Sequence, residues 1–228
     1  MERAERFRLV RGSVTPPAEA QTIQSADPHP LPPPGPDLQG DIYLSAAQIA
    51  ARTRELGEEI SHDYAGLDLL LVSVLKGALF FVADLARALT VPVEFDFLAI
   101  SSYGDRRPDP SPPVPPPSPP VRTGARTETP RGIRFLKDLD RPIEGKQVVV
   151  VESIVDTGLT LHYILSSLAL REPASLAVCT LLDRPYRRLA DIPVRYRGFT
   201  VPDDFFVGYG FDYRQHYRHL PDIRLLKI

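Results

Sequence analysis

The side chains best suited to chemistry are concentrated in one run, Val148-Val149-Val150-Val151-Glu152-Ser153-Ile154-Val155-Asp156-Thr157-Gly158-Leu159-Thr160. Two acids follow a block of β-branched residues. A glycine and two hydroxyl side chains come next, and a helical pattern begins at once. A helix start leaves backbone N–H groups without intrahelical partners and carries the positive end of the helix dipole, so it is suited to an anion. Gly158 lets the backbone approach a phosphate closely, and Thr157 and Thr160 add hydroxyl donors. An ordinary strand-to-helix turn capped by threonine is the alternative. Two carboxylates entering the same turn from an apolar strand favour a ligand site over that alternative.

These residues need elements to position them. Ser45 and Gln48 form a capping box, and Ile49, Leu56, Ile60 and Tyr64 recur at helical spacing, which predicts a helix to about Tyr64. Residues Leu69 to Leu75 are almost continuously apolar, as in a strand buried on both faces. Lys76-Gly77 breaks the run. A helix is expected over Ala78–Leu89 and a strand over Val93–Ile100. The four valines predict a central strand, Leu161, Ile164, Leu165 and Leu168 mark a helix, and Ser175–Leu182 reads as a further strand. The stretch from Tyr196 to Tyr213 is β-rich. Strands alternating with helices predict an α/β fold with a mainly parallel central sheet. Ligands of such sheets bind beyond the carboxyl ends of the strands, so Lys76-Gly77, Ser102-Tyr103, Glu152–Thr160 and Asp183-Arg184 are the positions to watch.

Composition narrows the field. The chain has 228 residues, 27 Lys+Arg against 29 Asp+Glu, and a net charge of -2, which lacks the basic footprint of a nucleic-acid binder. One cysteine, Cys179, excludes an intramolecular disulfide and a cysteine-rich zinc site. The uncharged stretch from Thr157 to Leu170 is too short to span a bilayer, and Met1 to Val10 carries charges with no apolar core of a signal peptide. The expectation is a cytoplasmic protein that engages neither nucleic acid nor membrane. Of 25 prolines, eight lie in residues 1–40 and nine between Pro108 and Pro120. Proline removes a backbone donor and fixes φ, so residues 1–39 are expected to be a disordered tail. Residues 107–121 are expected to be a low-complexity insertion in a loop of a domain spanning 40–228.

The valine-to-Thr160 segment resembles the phosphoribosyl pyrophosphate (PRPP) signature of type I phosphoribosyltransferases. More narrowly, the chain from about Asp41 to Lys227 resembles the hypoxanthine (hypoxanthine-guanine) phosphoribosyltransferases. The matching stretches are Val74-Leu75-Lys76-Gly77, Ser101-Ser102-Tyr103-Gly104, the run from Arg134 to Asp140, Leu181-Leu182-Asp183-Arg184-Pro185, and the run from Pro202 to Tyr213. In order around the phosphate turn they are far more specific than any one alone.

The resemblance implies the type I phosphoribosyltransferase fold with a small hood subdomain, Mg²⁺ as cofactor, PRPP and a 6-oxopurine as substrates, and a homodimer or homotetramer. It implies that Asp156 is the general base for the purine N7 proton and that Asp156, Thr157, Gly158, Leu159 and Thr160 grip the 5′-phosphate. Leu159 would contribute through its backbone. Glu152 would hold the ribose hydroxyls and influence the metal. Ser153 stands where the family carries a second acid, so its bond to the ribose lacks charge assistance. Lys76 and Gly77 match the pyrophosphate loop, which in the family often holds an unusual peptide bond. Ser102 and Tyr103 match the start of a mobile loop that excludes water from the reaction centre. Arg184 replaces the usual lysine that contacts purine O6, and a donor still faces that position. Phe205 would stack on the purine, Phe206 would present backbone groups to its edge, Asp212 would lie near the base and a second Mg²⁺, and Arg188 and Arg218 would face pyrophosphate. The implied activity is conversion of hypoxanthine, and guanine as well, with PRPP to the nucleoside monophosphate and pyrophosphate. A xanthine-preferring transferase and a non-catalytic PRPP-sensing regulator on the same fold are the two rival readings.

Overall fold

The structure is a computed structural model that describes residues 41–102 and 133–226. The proline-rich tail, the insertion at 107–121 and Tyr103 lie outside the described residues.

Among the described residues thirteen elements follow in order: β1 (Ile42–Leu44), α1 (Ala46–Asp63), β2 (Leu69–Leu75), α2 (Leu79–Ala88), β3 (Val93–Ser102), β4 (Ile133–Lys137), β5 (Gln147–Val155), α3 (Leu159–Ala169), β6 (Ser175–Asp183), a 3-10 turn (Pro185–Arg187), β7 (Val194–Thr200), β8 (Phe206–Val207) and β9 (Ile223–Leu225). Six strands form one sheet in the order β4-β3-β2-β5-β6-β7. Every neighbouring pair in it is parallel except β3 with β4, which is antiparallel. After β2 the chain winds outward through β3 and β4, then returns to β5 and winds the other way. The topological switch therefore falls between β2 and β5, and a crevice opens beyond their carboxyl ends.

The run of valines reflects burial on both faces. Val149 and Val151 join Leu71, Cys179 and Leu181 in a core with α1 and α2, while Val148 and Val150 join Val72 and Val178 in a second core with Leu161, Ile164 and Leu168 of α3. Alternate residues of one strand thus serve opposite layers, and a polar residue at either would be buried without water. Helix α1 starts as the sequence predicts: Ser45 accepts from the Gln48 backbone, and the Gln48 side chain accepts from Ser45 N–H at 3.0 Å.

A second sheet, β1-β9-β8, joins the two ends of the domain and is the expected hood. Its strands are two or three residues long and carry little periodicity.

One sequence boundary needs correction. Glu152 and Ser153 do not lie past the end of the valine strand. β5 runs on to Val155, with Glu152 opposite Thr180, Ile154 opposite Leu182 and Val155 opposite Asp183. A charged residue resembles a strand end in sequence, but Ile154 and Val155 still pair with β6. Asp183 is likewise the last residue of β6, and Ser102 the last of β3.

Candidate functional site

Two adjoining cavities open at the carboxyl edge of the sheet. The first, about 190 Å³, is lined by Glu152, Ile154, Val155, Asp156, Thr157, Gly158, Thr160 and Leu161. The second, about 260 Å³, is lined by Gly77, Ser153, Ile154, Arg184, Asp204, Phe205, Phe206, Gly210, Phe211, Asp212 and Arg218. Ile154 borders both, and successive β5 residues feed them in turn: Glu152 the first, Ser153 the second.

The first cavity is the turn between β5 and α3. Gly158 is the N-cap of α3 in the left-handed region at φ 79°, and no side chain caps the helix. The first-turn N–H groups therefore keep their donors free of side-chain acceptors, which suits them to an anion. A side chain at 158 would be strained in that region, and its Cβ would lie 2.8 Å from Ile192 Cγ1 and 3.1 Å from Ala190 O. The turn is fixed from behind: Thr157 O accepts from Leu189 N at 2.9 Å and from Ala190 N at 3.2 Å. Leu159 is exposed and does not line the cavity.

Glu152 is the perturbed group of this cup. Burial pushes its carboxyl up to about 8, and a backbone hydrogen bond from Ser153 offsets only part of that. Among the described residues no ion pair reaches it. Asp156, four residues on, is flanked by cations. Arg187 Nε lies 3.0 Å from its Oδ1, which is closed to solvent and receives no aligned hydrogen bond, and Arg184 Nη1 lies 3.7 Å from Oδ2.

The second cavity is walled by the hood and the loop after β2. Arg184 is buried. Its Nε donates to Pro202 O at 3.1 Å, its Nη2 to Asp204 O, and its guanidinium carbon lies 5.3 Å from the centre of the Phe206 ring. Phe206 is buried in the core against Tyr43, whereas Phe205 is exposed at the cavity with Tyr213 edge-on at 6.1 Å. Phe205 thus has a free ring for a planar ligand and Phe206 does not. Asp212 pairs with Arg218 Nη2 at 2.6 Å and accepts from Gln215 N at 2.8 Å, and Arg218 Nη1 donates to Gly210 O at 2.6 Å. The Leu75-Lys76 peptide bond is cis. Gly77 faces Ser153 Oγ, 2.8 Å from where a Cβ would stand, and a Cβ on Gly210 would meet Gly77 O at 2.0 Å. No side chain fits between this loop and the hood.

The structure brings together Glu152, Ser153, Asp156, Thr157, Gly158, Thr160, Gly77, Arg184, Phe205, Phe206, Asp212 and Arg218. Besides Leu159, two expected site residues stand apart. Lys76 is exposed and donates to Gln215 Oε1 at 3.4 Å. Arg188 turns inward to the fully buried Asp183, whose other oxygen lies 2.6 Å from Arg197 Nε. Ser102 ends β3, and its side chain is outside the described set, as is all of Tyr103. The sequence reading missed Arg187, which sits in a cluster of charges that reads as surface. It marked Asp183 as a strand-end position to watch, but not its pairing with Arg188 and Arg197.

These features meet in one known arrangement. The sequence model of the phosphoribosyl transferase domain matches residues 39–214, and the chain belongs to that family. Within it, the chain is 45% identical over 183 residues to the hypoxanthine phosphoribosyltransferase of Salmonella typhimurium, covering 79% of this chain and 92% of that one. It is 46% identical over 191 residues to the hypoxanthine-guanine phosphoribosyltransferase of Mycobacterium tuberculosis, covering 81% and 85%. The crystal structure of a hypoxanthine-guanine phosphoribosyltransferase from Bacillus anthracis superposes with a TM-score of 0.70 at 38% identity, covering 82% of this chain and 98% of that one.

Proposed function

We propose that the protein is a purine-salvage transferase that joins hypoxanthine, and guanine as well, to PRPP, releasing pyrophosphate. The observation that carries this reading is the adjacency of an uncapped helix start and an aromatic-walled cavity, with Asp156 at the edge of the first and its carboxylate beside Arg184 of the second. The sugar phosphate occupies the cup, its 5′-phosphate on the backbone N–H groups of the α3 start and the hydroxyls of Thr157 and Thr160. The purine lies on Phe205, with Arg184 donating to its 6-oxo group. In the transfer the purine N9 forms the bond to the anomeric carbon, the bond from that carbon to the pyrophosphate oxygen breaks, and the N7 proton passes to Asp156. The carboxylate also stabilises the positive charge that grows on the purine before the proton leaves.

A divalent cation fits this site only as a partner of the substrate. Among the described residues no group of three potential ligands is gathered. Glu152 in the cup and Asp212 across the second cavity are single carboxylates of the kind that touch Mg²⁺ held mainly by phosphate oxygens. Bound there, the ion supplies neutralisation of the leaving pyrophosphate. Assembly as a homodimer or homotetramer goes with this reading and is read by sedimentation.

A base panel tests the function. Hypoxanthine, guanine, xanthine and adenine are each supplied with PRPP and Mg²⁺, and pyrophosphate is measured. Turnover of hypoxanthine with guanine at a comparable rate, and little with adenine, is expected. Preferred turnover of xanthine would move the reading to that base, and no turnover with any base, together with PRPP binding, would leave a sensor.

A further inference from the structure

Arg184 and Asp156 belong to a closed circuit. Arg184 Nη1 lies 3.7 Å from Asp156 Oδ2 and 3.7 Å from Asp203 Oδ1. Arg187 Nε lies 3.0 Å from Asp156 Oδ1, and Arg187 Nη1 contacts the same Asp203 Oδ1 that faces Arg184. Two acids and two guanidinium groups alternate around a ring, and each charge touches two of the opposite sign. We propose that Asp203 and Arg187 are positioning residues for the transfer: from outside the purine cavity they fix the Asp156 carboxylate relative to the Arg184 guanidinium. This rests on the transferase reading above.

The geometry assigns each member a distinct part. Arg184 spends Nε and one N–H of Nη2 on the carbonyls of Pro202 and Asp204, so Nη1 faces both acids and the second N–H of Nη2 is the donor left for a purine oxygen. Arg187 stands on the 3-10 turn, whose flanking backbone also holds the phosphate turn through Arg184 N to Val155 O at 3.0 Å and Leu189 N to Thr157 O at 2.9 Å. Asp203 precedes Asp204 and Phe205 of the cavity wall. The ring therefore links the phosphate turn, the 3-10 turn and the purine wall through side chains. Without the Asp203 charge, Asp156 is the one acid left in the ring for two cations, and both guanidinium groups close on the oxygens that must meet the purine. Without Arg187, the solvent-shielded Oδ1 of Asp156 loses its ion partner and the carboxylate can turn. Asp203 and Arg187 are themselves well exposed, at 57% and 40% for the side chains, so their pairing adds little to stability and its effect falls on geometry.

The test uses the full chain, with Asp203→Asn, Asp203→Glu, Arg187→Gln and the Asp203→Asn/Arg187→Gln double variant. Melting temperature, kcat and the KM for PRPP are measured for each, with hypoxanthine as base. Asp203→Asn and Arg187→Gln are each expected to lower kcat about tenfold, since small misplacements of reacting groups are costly, with the KM for PRPP within about twofold of wild type. Asp203→Glu keeps the charge and recovers most of the rate. The double variant is expected to be no slower than the slower single one, because both act through one ring. Wild-type kcat in both single variants, a loss that falls on the PRPP KM, equal losses in the Asn and Glu variants, or a double variant whose loss is the product of the two overturns the proposal. A wild-type protein that turns over no purine overturns the transferase reading itself, and the ring with it; an active wild type with silent variants overturns the ring alone.

Discussion

Two carboxylates four residues apart meet very different surroundings. Asp156 sits between guanidinium groups, whereas Glu152 stands half-buried on the wall of the cup with one backbone donor. Under the proposed transferase reading, Asp156 is the acceptor of the purine proton. Asp156→Asn keeps the shape and removes the base, and turnover with saturating substrates is expected to fall by about 10²-fold or more, as measured by steady-state kinetics. Glu152 gives a prediction with a definite sign. Its folded carboxyl is raised from 4.5 to about 8, so between those values the native state holds a proton that the unfolded chain has released. Stability then falls as pH rises across that window and levels off above it. Urea unfolding at pH 5, 7 and 9 is expected to show wild type losing ground to Glu152→Gln, with the gap opening mainly between pH 5 and 8. A constant gap across the three values would show that Glu152 is ionised in the folded protein.

At the scale of the elements, the carboxyl ends of β5, β6 and β7 are tied by charge as well as by the sheet. Asp183 ends β6 with no exposure and is paired with Arg188, beyond the 3-10 turn, and with Arg197 of β7. Arg188 passes beside Gly158, its Cδ 3.1 Å from where a Cβ would stand there. The inner carboxylate thus fixes the loop that backs the phosphate turn. Removing one partner of a buried ion pair leaves the other uncompensated, so Asp183→Ala is expected to cost about 3 kcal/mol in denaturant unfolding and to weaken PRPP binding in calorimetry. The elements were largely legible. α1, β2, α2, β5, α3 and β6 all announce themselves by capping, helical spacing or unbroken apolar runs. β4 did not, because an edge strand of five residues that alternates Arg and Lys with Ile, Phe and Leu carries too little pattern by itself. The two- and three-residue strands of the hood escaped for the same reason.

Across the whole molecule, the second cavity depends on β1, β8 and β9 meeting. β9 pairs with β1, Ile42 opposite Arg224, and with β8, Phe206 opposite Leu225, so the last strand holds in place the segment that carries Phe205 and Phe206. Leu226 N also donates to Phe205 O at 2.8 Å. The phosphate cup draws on none of these strands. A chain ending at Pro221 is therefore expected to lose affinity for the purine nucleotide product far more than for PRPP, with both read by calorimetry. Equal losses would place the cup, too, under the control of the hood.

The sequence alone established the α/β architecture and the turn between β5 and α3, because both are written in consecutive residues: a strand buried on both faces must be apolar throughout, and a tight turn into an uncapped helix start needs its glycine and threonines in one short run. It also marked most of the lining of the second cavity, through the ordered stretches around Arg184 and from Pro202 to Tyr213. Only the tertiary structure decided which charges meet. Asp156 finds Arg184 and Arg187 some thirty positions away, Asp183 collects Arg188 and Arg197, and Asp203 closes on two guanidinium groups. A charged residue has no periodic signature that names its partner: Coulomb attraction acts through space, and only the packing of β5, β6 and the hood fixes which side chains come within reach.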